Sequence, residues 1–239
     1  PESQLFQALR KSAGRAGGPR KLTAEEIAKL SREVVERGDP ARGEEIYHSG
    51  ELACLKCHAI GGAGGLGGPD LSSIGTTAQL DYLIDSIFDP NKAIKENYHS
   101  TTVVTKDGRV LTGIKLREAG SELILRDSEG GELPVRRDNI ARRSMGGSLM
   151  PSGLTESLTS DELRDLLRFL SEIGKIGDYS VGKTPFARSW RVLEKVPPGL
   201  GPAGERSPVS GPDDSNLQWV SSYSRVSGVL PLSQLQLDR

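Results

Sequence analysis

Two thiols and an imidazole lie within five residues of this chain, in the segment Cys54-Leu55-Lys56-Cys57-His58, and the chain has no other cysteine. Thiols separated by two residues can each add to one vinyl group of a haem, and a histidine directly after the second can then reach the iron. This is the attachment motif of c-type haem, so we predict one covalently bound haem c, with thioethers at Cys54 and Cys57 and a proximal iron ligand at His58. A strained, redox-active disulfide between the two cysteines is the alternative.

A six-coordinate iron needs a second axial ligand, and the candidates are Met145, Met150, His48 and His99. We favour Met150, because a loop leading into the last predicted helix can bring it over the ring and Pro151 stiffens that approach. A methionine ligand also raises the redox potential. His48 lies close before the motif and is expected to point elsewhere, and His99 is expected to be exposed. Met145, or an open or water-bound position, remains an alternative.

The composition limits the classes of partner. The 239 residues include 31 Lys and Arg against 32 Asp and Glu, a net charge of −1. Such a chain has no general attraction for nucleic acid or anionic membrane surfaces. No apolar run approaches the roughly 20 residues that span a bilayer, so no transmembrane segment is predicted. Haem c is normally attached outside the cytoplasm, and the chain starts at Pro1. We therefore expect an extracytoplasmic (periplasmic) protein whose longer precursor carried the export signal.

Helical periodicity predicts the elements around the motif. An N-terminal helical segment over 1–38 has a capping box at Thr23 and Glu26, and a second capping box, at Thr159 and Glu162, begins the last helix. A domain over 39–177 opens with a short helix over 40–49, and a Pro/Gly-rich C-terminal extension covers 178–239. A glycine-rich loop over 61–68 follows the motif, and we expect it to be flexible and to lie over the cofactor edge. The apolar stripes of the longer helices are Ile27, Leu30 and Val34, then Leu80, Leu83, Ile84 and Ile87, and finally Leu163, Leu166, Leu167 and Leu170.

Between the middle and last helices the apolar period changes from 3.6 to 2, which indicates strands. Four short strands are predicted over 101–105, 110–114, 123–125 and 133–135, with turns at Asp107-Gly108, Ala119-Gly120 and Gly130-Gly131. They form an insert at about 98–140, a small antiparallel sheet or barrel. Its arginines are interleaved with acids, and no aromatic side chain lies between 101 and 144. Nucleic-acid binding is therefore not predicted.

The helices on either side of the motif carry a pattern typical of one family. Gly43 and Tyr47 lie on the first of them, and Leu166 and Phe169 take the matching places on the last. With the Cys54–His58 motif between them, the chain resembles the class I cytochromes c. The resemblance implies that these helices cross at Gly43. It also implies an α+β fold, a mainly helical cytochrome c with the sheet inserted before the methionine loop.

Two further segments extend the resemblance. Gly68-Pro69-Asp70-Leu71 is similar to the family's Gly-Pro-x-Leu segment, and Met150-Pro151 is similar to its methionine loop. By this resemblance, the Pro69 carbonyl accepts a hydrogen bond from Nδ1 of His58, which fixes the ring, and both Pro69 and Leu71 contact the haem. The strand insert makes the chain similar to bacterial haem-binding domains, the C-terminal parts of large exported propeller-containing and dehydrogenase-like proteins.

These features predict a mono-haem domain that carries single electrons and is not itself an enzyme. The resemblance implies a redox partner protein or a fused dehydrogenase domain as the electron donor, and tethering would raise the donor's effective concentration. A haem-based gas or redox sensor is the alternative, and it requires a displaceable distal ligand. The glycine-rich loop and a mobile segment over 145–148 would permit one. A peroxidase would need a second haem or an acid–base pair.

Overall fold

The computed structural model describes residues 21–49, 52, 54–182, 187–193 and 217–230, and it has an α+β fold of helices and antiparallel sheet. Residues 1–20 and much of the predicted C-terminal extension lie outside the described part of the chain. The helices are α1 Ala24–Arg37, α2 Pro40–His48, α3 Cys54–Cys57, α4 Ile74–Thr77, α5 Leu80–Phe88 and α6 Ser160–Glu172. The strands are β1 Ser100–Thr105, β2 Val110–Ala119, β3 Glu122–Arg126, β4 Glu132–Arg136, β5 Ile140–Met145, β6 Ser189–Leu193 and β7 Trp219–Tyr223.

Both predicted capping boxes are present. The Thr23 hydroxyl accepts a hydrogen bond from the Glu26 N–H at 3.2 Å, and the Glu26 carboxylate accepts one from the Thr23 N–H at 2.9 Å. Thr159 and Glu162 repeat this arrangement at the start of α6. Each box supplies acceptors to N–H groups that have no partner within the helix. Because the residues of a box lie close together in the chain, these two helix starts could be predicted from the local sequence.

Helix α2 crosses α6 at a point where no side chain intervenes. A Cβ at Gly43 would lie 2.0 Å from the Asp165 carbonyl oxygen, so only glycine allows this approach. One turn further along, the rings of Tyr47 and Phe169 meet with centroids 5.6 Å apart. The Asp165 carboxylate also accepts a hydrogen bond from the Asp39 N–H at 2.8 Å, which fixes the start of α2 against α6. The expected crossing at Gly43 is confirmed.

One apolar core joins helices α1, α2, α5 and α6. Val34, Ile84, Leu167 and Phe169 are fully buried in it, and Val226, from the segment after β7, belongs to the same cluster. Among the described residues, no helix is long and apolar enough to cross a membrane.

The inserted strands form a five-stranded antiparallel sheet in the order β4-β3-β2-β1-β5. Its own core consists of Val103 of β1, Leu123 and Leu125 of β3 and Val135 of β4. The strand pairing is irregular between Lys115 and Arg117 and between Val104 and Thr105. The predicted small antiparallel sheet is present.

The sheet has a fifth strand that the sequence did not predict, because β5 continues to Met145, beyond the expected end of the insert at about 140. β5 pairs only with β1, and its residues after Ile140 are exposed. An exposed edge strand buries neither face, so Arg142 and Arg143 interrupt the alternation by which strands are predicted.

The described part of the extension is held against α2 by a buried hydrogen bond and an exposed ion pair. Strands β6 and β7 pair with each other, and the Val226 N–H beyond β7 donates to the Glu44 carboxylate at 2.6 Å. The buried Arg188 guanidinium donates to the Val226 carbonyl, and Arg225 pairs with Glu45 at 2.9 Å. These contacts join the described part of the extension to α2 and to the helical core.

Changing Glu44 tests this anchor. Glu44→Ala leaves the buried Val226 N–H without its acceptor, and we expect a loss of about 1–3 kcal/mol in the free energy of unfolding at pH 7. Burial raises the pKa of Glu44, although the Val226 N–H and Arg225 oppose the shift. A raised pKa means that the folded state favours the protonated carboxyl, so the protonation-dependent part of its stabilisation is fully present at acid pH and is lost as the pH rises through the folded-state pKa. The hydrogen bond from the Val226 N–H is present in either protonation state.

Glu44→Gln keeps an acceptor and removes the charge. We expect it to be at least as stable as the wild type at pH 7, with the difference closing as the pH falls and the wild-type carboxyl becomes protonated. Urea unfolding at pH 7 and pH 5 measures both variants. Equal losses for the two substitutions would show that the hydrogen bond does not hold the extension.

Candidate functional site

Cys54, Cys57 and His58 lie on a single helical turn and its exit. The His58 N–H donates to the Cys54 carbonyl at 2.9 Å, closing the turn. All three half-buried side chains line one cavity of about 310 Å³. Ligand and cofactor sites commonly occupy roughly 300–1,000 Å³.

Apolar side chains form most of the cavity wall, and they come from α2, α4, α5, α6 and the sheet. Among the described lining residues, Asp70 and Lys95 are the only carboxylate and the only ammonium group. Hydroxyl groups of Ser73, Thr77 and Tyr82 supply polar points at exposed positions. The main apolar residues are Leu52, Ile74, Leu83, Ile87, Ile114, Leu166 and Leu170.

The imidazole of His58 is held in one tautomer. Nδ1 lies 2.7 Å from the Pro69 carbonyl oxygen, which can only accept, so Nδ1 carries the proton and Nε2 keeps its lone pair. A Cβ at Gly68 would lie 2.6 Å from the ring, so Gly68 lets the chain pass close to it. Burial lowers the pKa of His58, while Pro69 and Asp70 act in the opposite direction. The ring can therefore serve as a neutral metal ligand through Nε2.

The two thiols are in an environment that keeps them protonated. Burial raises the pKa of Cys54 to about 11 and also raises the pKa of Cys57. Cysteines that exchange disulfides have lowered pKa values instead, with positive groups nearby. Both residues are free thiols in the structure, so these surroundings give no support to a redox-active disulfide.

Met150 lines the same cavity from the loop that leads into α6. Its N–H donates to the Ser148 hydroxyl at 3.1 Å, and the Ser148 N–H donates to the Asn91 side-chain oxygen at 2.9 Å. Asn91 thus ties the methionine loop to the segment after α5. No role had been predicted for Asn91 or Ser148, because a contact across 57 residues leaves no local signal.

The other three candidate iron ligands do not line the cavity. Met145 ends strand β5, pairs with Thr101 and is 78% exposed. His99 is exposed, as expected. His48 packs edge-on against Tyr47, and burial lowers its pKa to about 4. The structure therefore leaves Met150 as the only one of the four candidates that lines the cavity.

The glycine-rich segments are more tightly packed than predicted. In the loop over 61–68, the Gly65 N–H donates to the Leu55 carbonyl at 2.8 Å and the Gly68 N–H to the Cys57 carbonyl at 2.7 Å. The loop thus folds back onto the motif itself. At the other segment, the Gly146 N–H donates to the Ser100 carbonyl at 2.8 Å. Glycine content alone does not distinguish a loose loop from one that needs close backbone contact.

Tyr47 connects the helix crossing to the motif. Its hydroxyl donates to the His58 carbonyl at 2.8 Å, and the side chain is 1% exposed. Sequence reasoning placed Tyr47 at the helix crossing but did not find this second contact. The hydroxyl on an otherwise buried ring was the available signal, because a buried phenol needs a hydrogen-bond partner.

The residues predicted to contact a cofactor all line this cavity: Cys54, Cys57, His58, Pro69, Leu71 and Met150. No protein-family model matches the chain, and a search of curated proteins finds no significant match.

Proposed function

We propose that this chain is a mono-haem c-type cytochrome domain that carries single electrons. One observation carries the proposal: Met150, distant in sequence from Cys54, Cys57 and His58, lines the same apolar cavity as they do. Haem c supplies a one-electron ferric/ferrous couple on a ring that two thioethers hold.

The residues present fit that group. Cys54 and Cys57 stand one helical turn apart and would hold the ring. His58 would ligate the iron through Nε2, because its hydrogen bond to Pro69 occupies Nδ1. Met150 would supply the second ligand, with its loop held by Ser148. The apolar lining excludes water, which favours the less charged ferrous state and raises the potential.

The helical part supports a class I cytochrome c fold. The α2–α6 crossing at Gly43 and the Tyr47–Phe169 contact lie where that family crosses its terminal helices. The bond between His58 and Pro69 matches the role implied for the Gly-Pro-x-Leu segment. The sheet between α5 and the methionine loop is in keeping with the bacterial haem-binding domains.

The cellular role follows from the same chemistry. The domain would work outside the cytoplasm, take electrons from a partner or fused dehydrogenase and pass them on without making or breaking substrate bonds. The sensor alternative drew on a mobile segment over 145–148, which is hydrogen-bonded to β1 here. The structure offers no specific observation in favour of that alternative.

Removing the two thiols tests the covalent attachment. In protein expressed with the haem-maturation machinery, we expect haem to remain after acid–acetone extraction of the wild type. We expect it to be extracted completely from the Cys54→Ser/Cys57→Ser double variant, because hydroxyl groups form no such thioethers. The visible spectrum before and after extraction measures the result.

Met145→Ala is the matched control, since this exposed side chain lies outside the cavity, and it should retain haem like the wild type. A wild-type protein without haem under these conditions would overturn the proposal. Retained haem with a high-spin spectrum would indicate a vacant distal position and favour the sensor.

A further inference from the structure

The turn between β3 and β4 packs directly against the Cys54–His58 motif. The Cys57 sulfur lies 3.3 Å from the Ser128 carbonyl oxygen, and both residues line the cavity. A Cβ at Gly67 would lie 2.2 Å from the same carbonyl oxygen. Gly67 does not have a positive φ, so its backbone conformation does not itself require glycine. It is the short distance to the Ser128 carbonyl that leaves no room for a side chain. The sheet and the glycine-rich loop therefore meet, backbone against backbone, beside Cys57.

One hydrogen bond holds this junction: the Arg126 guanidinium, at the end of β3, donates to the Leu66 carbonyl at 2.9 Å. Gly130, within the turn, passes beside Leu66, where an added Cβ would lie 3.4 Å away. Opposite Arg126 on β2, Ile114 is 4% exposed and lines the cavity. The sheet thus contributes both an anchored turn and a buried apolar side chain to the wall.

The turn has an internal structure that does not depend on the loop. The Asp127 carboxylate accepts hydrogen bonds from the Glu129 N–H at 3.0 Å and the Gly131 N–H at 2.7 Å. Gly130 has a φ of +88°, which glycine adopts without strain. These side-chain hydrogen bonds stabilise the turn conformation without any contact from the loop.

We propose that the β3–β4 turn, Asp127–Gly131, is a fixed wall that closes the cavity beside Cys57, and that limiting water access at this edge is a role of the inserted sheet. Gly67 and Arg126 are the positioning residues that dock it. The docking goes beyond the proposed function and does not depend on it, because every contact that docks the turn is between residues of this chain. Only its effect on the midpoint potential rests on the proposed haem.

Hydrogen exchange measured by mass spectrometry tests the docking in the full chain as purified. In Arg126→Ala and in Gly67→Ala, we expect exchange of the peptides covering 64–68 to rise at least about fivefold, because the docked turn no longer covers them. Arg117→Ala is the matched control: it is an arginine of the same sheet whose bonds go to Glu132 within the sheet. We expect its exchange over 64–68 to equal that of the wild type.

Unchanged exchange in Arg126→Ala overturns the proposal, and so does an equal rise in Arg117→Ala, which would show that the sheet is merely destabilised. If Gly67→Ala does not fold, Arg126→Ala alone decides. Where the protein carries haem, the opened wall should also lower the midpoint potential. If the protein contains no haem but exchange over 64–68 still increases in Arg126→Ala, the proposed wall is supported and the proposed electron carrier is rejected. The two proposals can therefore be rejected independently.

Discussion

Met150→Ala is expected to remove the weak long-wavelength band of methionine-ligated ferric haem and to lower the midpoint potential by on the order of 100 mV. Met150 is the only candidate distal ligand that lines the cavity. A thioether stabilises the ferrous state, so its loss leaves water or an empty position that favours the ferric state. Redox titration followed by visible spectroscopy measures both effects.

Met145→Ala is the control for this experiment. The two methionines are five positions apart in sequence, but Met145 ends an exposed strand and is 78% exposed. We expect its spectrum and potential to match those of the wild type. An unchanged potential in Met150→Ala, or a shift only in Met145→Ala, would reject Met150 as the ligand.

Gly43→Ala is expected to lower the free energy of unfolding by about 3 kcal/mol or more. The added methyl carbon would lie 2.0 Å from the Asp165 carbonyl oxygen, so α2 and α6 must move apart. Overpacking of this kind commonly costs about 1–3 kcal/mol, and more where backbone atoms must move. Urea unfolding followed by circular dichroism measures the loss.

Glu45→Ala on the same helix is the matched substitution. It removes only an exposed ion pair with Arg225 and is expected to cost less than about 1 kcal/mol. The Gly43 variant should also disturb the cavity, because Tyr47, one turn along α2, holds the His58 carbonyl. Similar losses for both variants would mean that the helices do not depend on contact at Gly43.

Local signals in the sequence located most elements of the helical part. The capping boxes at Thr23 and Thr159 and the apolar stripes predicted α1, α5 and α6, because each signal lies within one or two helical turns. Four of the five strands of the inserted sheet were found from their alternation. Strand β5 was not predicted, because an edge strand that is exposed on both faces does not alternate between apolar and polar residues.

The residues of the proposed proximal side were also available in the sequence, because the spacing of Cys54, Cys57 and His58 depends only on one turn of chain. For the proposed distal ligand, the sequence favoured Met150, from its loop before the last helix and from Pro151, but left Met145 as an alternative. Only the pairing of β5 with β1 shows that Met145 is turned outwards.

The sequence by itself determined which reactive groups lie together, two thiols and an imidazole on one turn, and it placed a glycine at the predicted helix crossing. Only the tertiary structure decided what closes the cavity. The contacts of Ser128 with Cys57 and of Asn91 with Ser148 span 71 and 57 residues. They are made by backbone carbonyls, amides and small polar groups that many residue types could supply. Such contacts depend on how the sheet and helices pack, and so they leave no pattern in the chain.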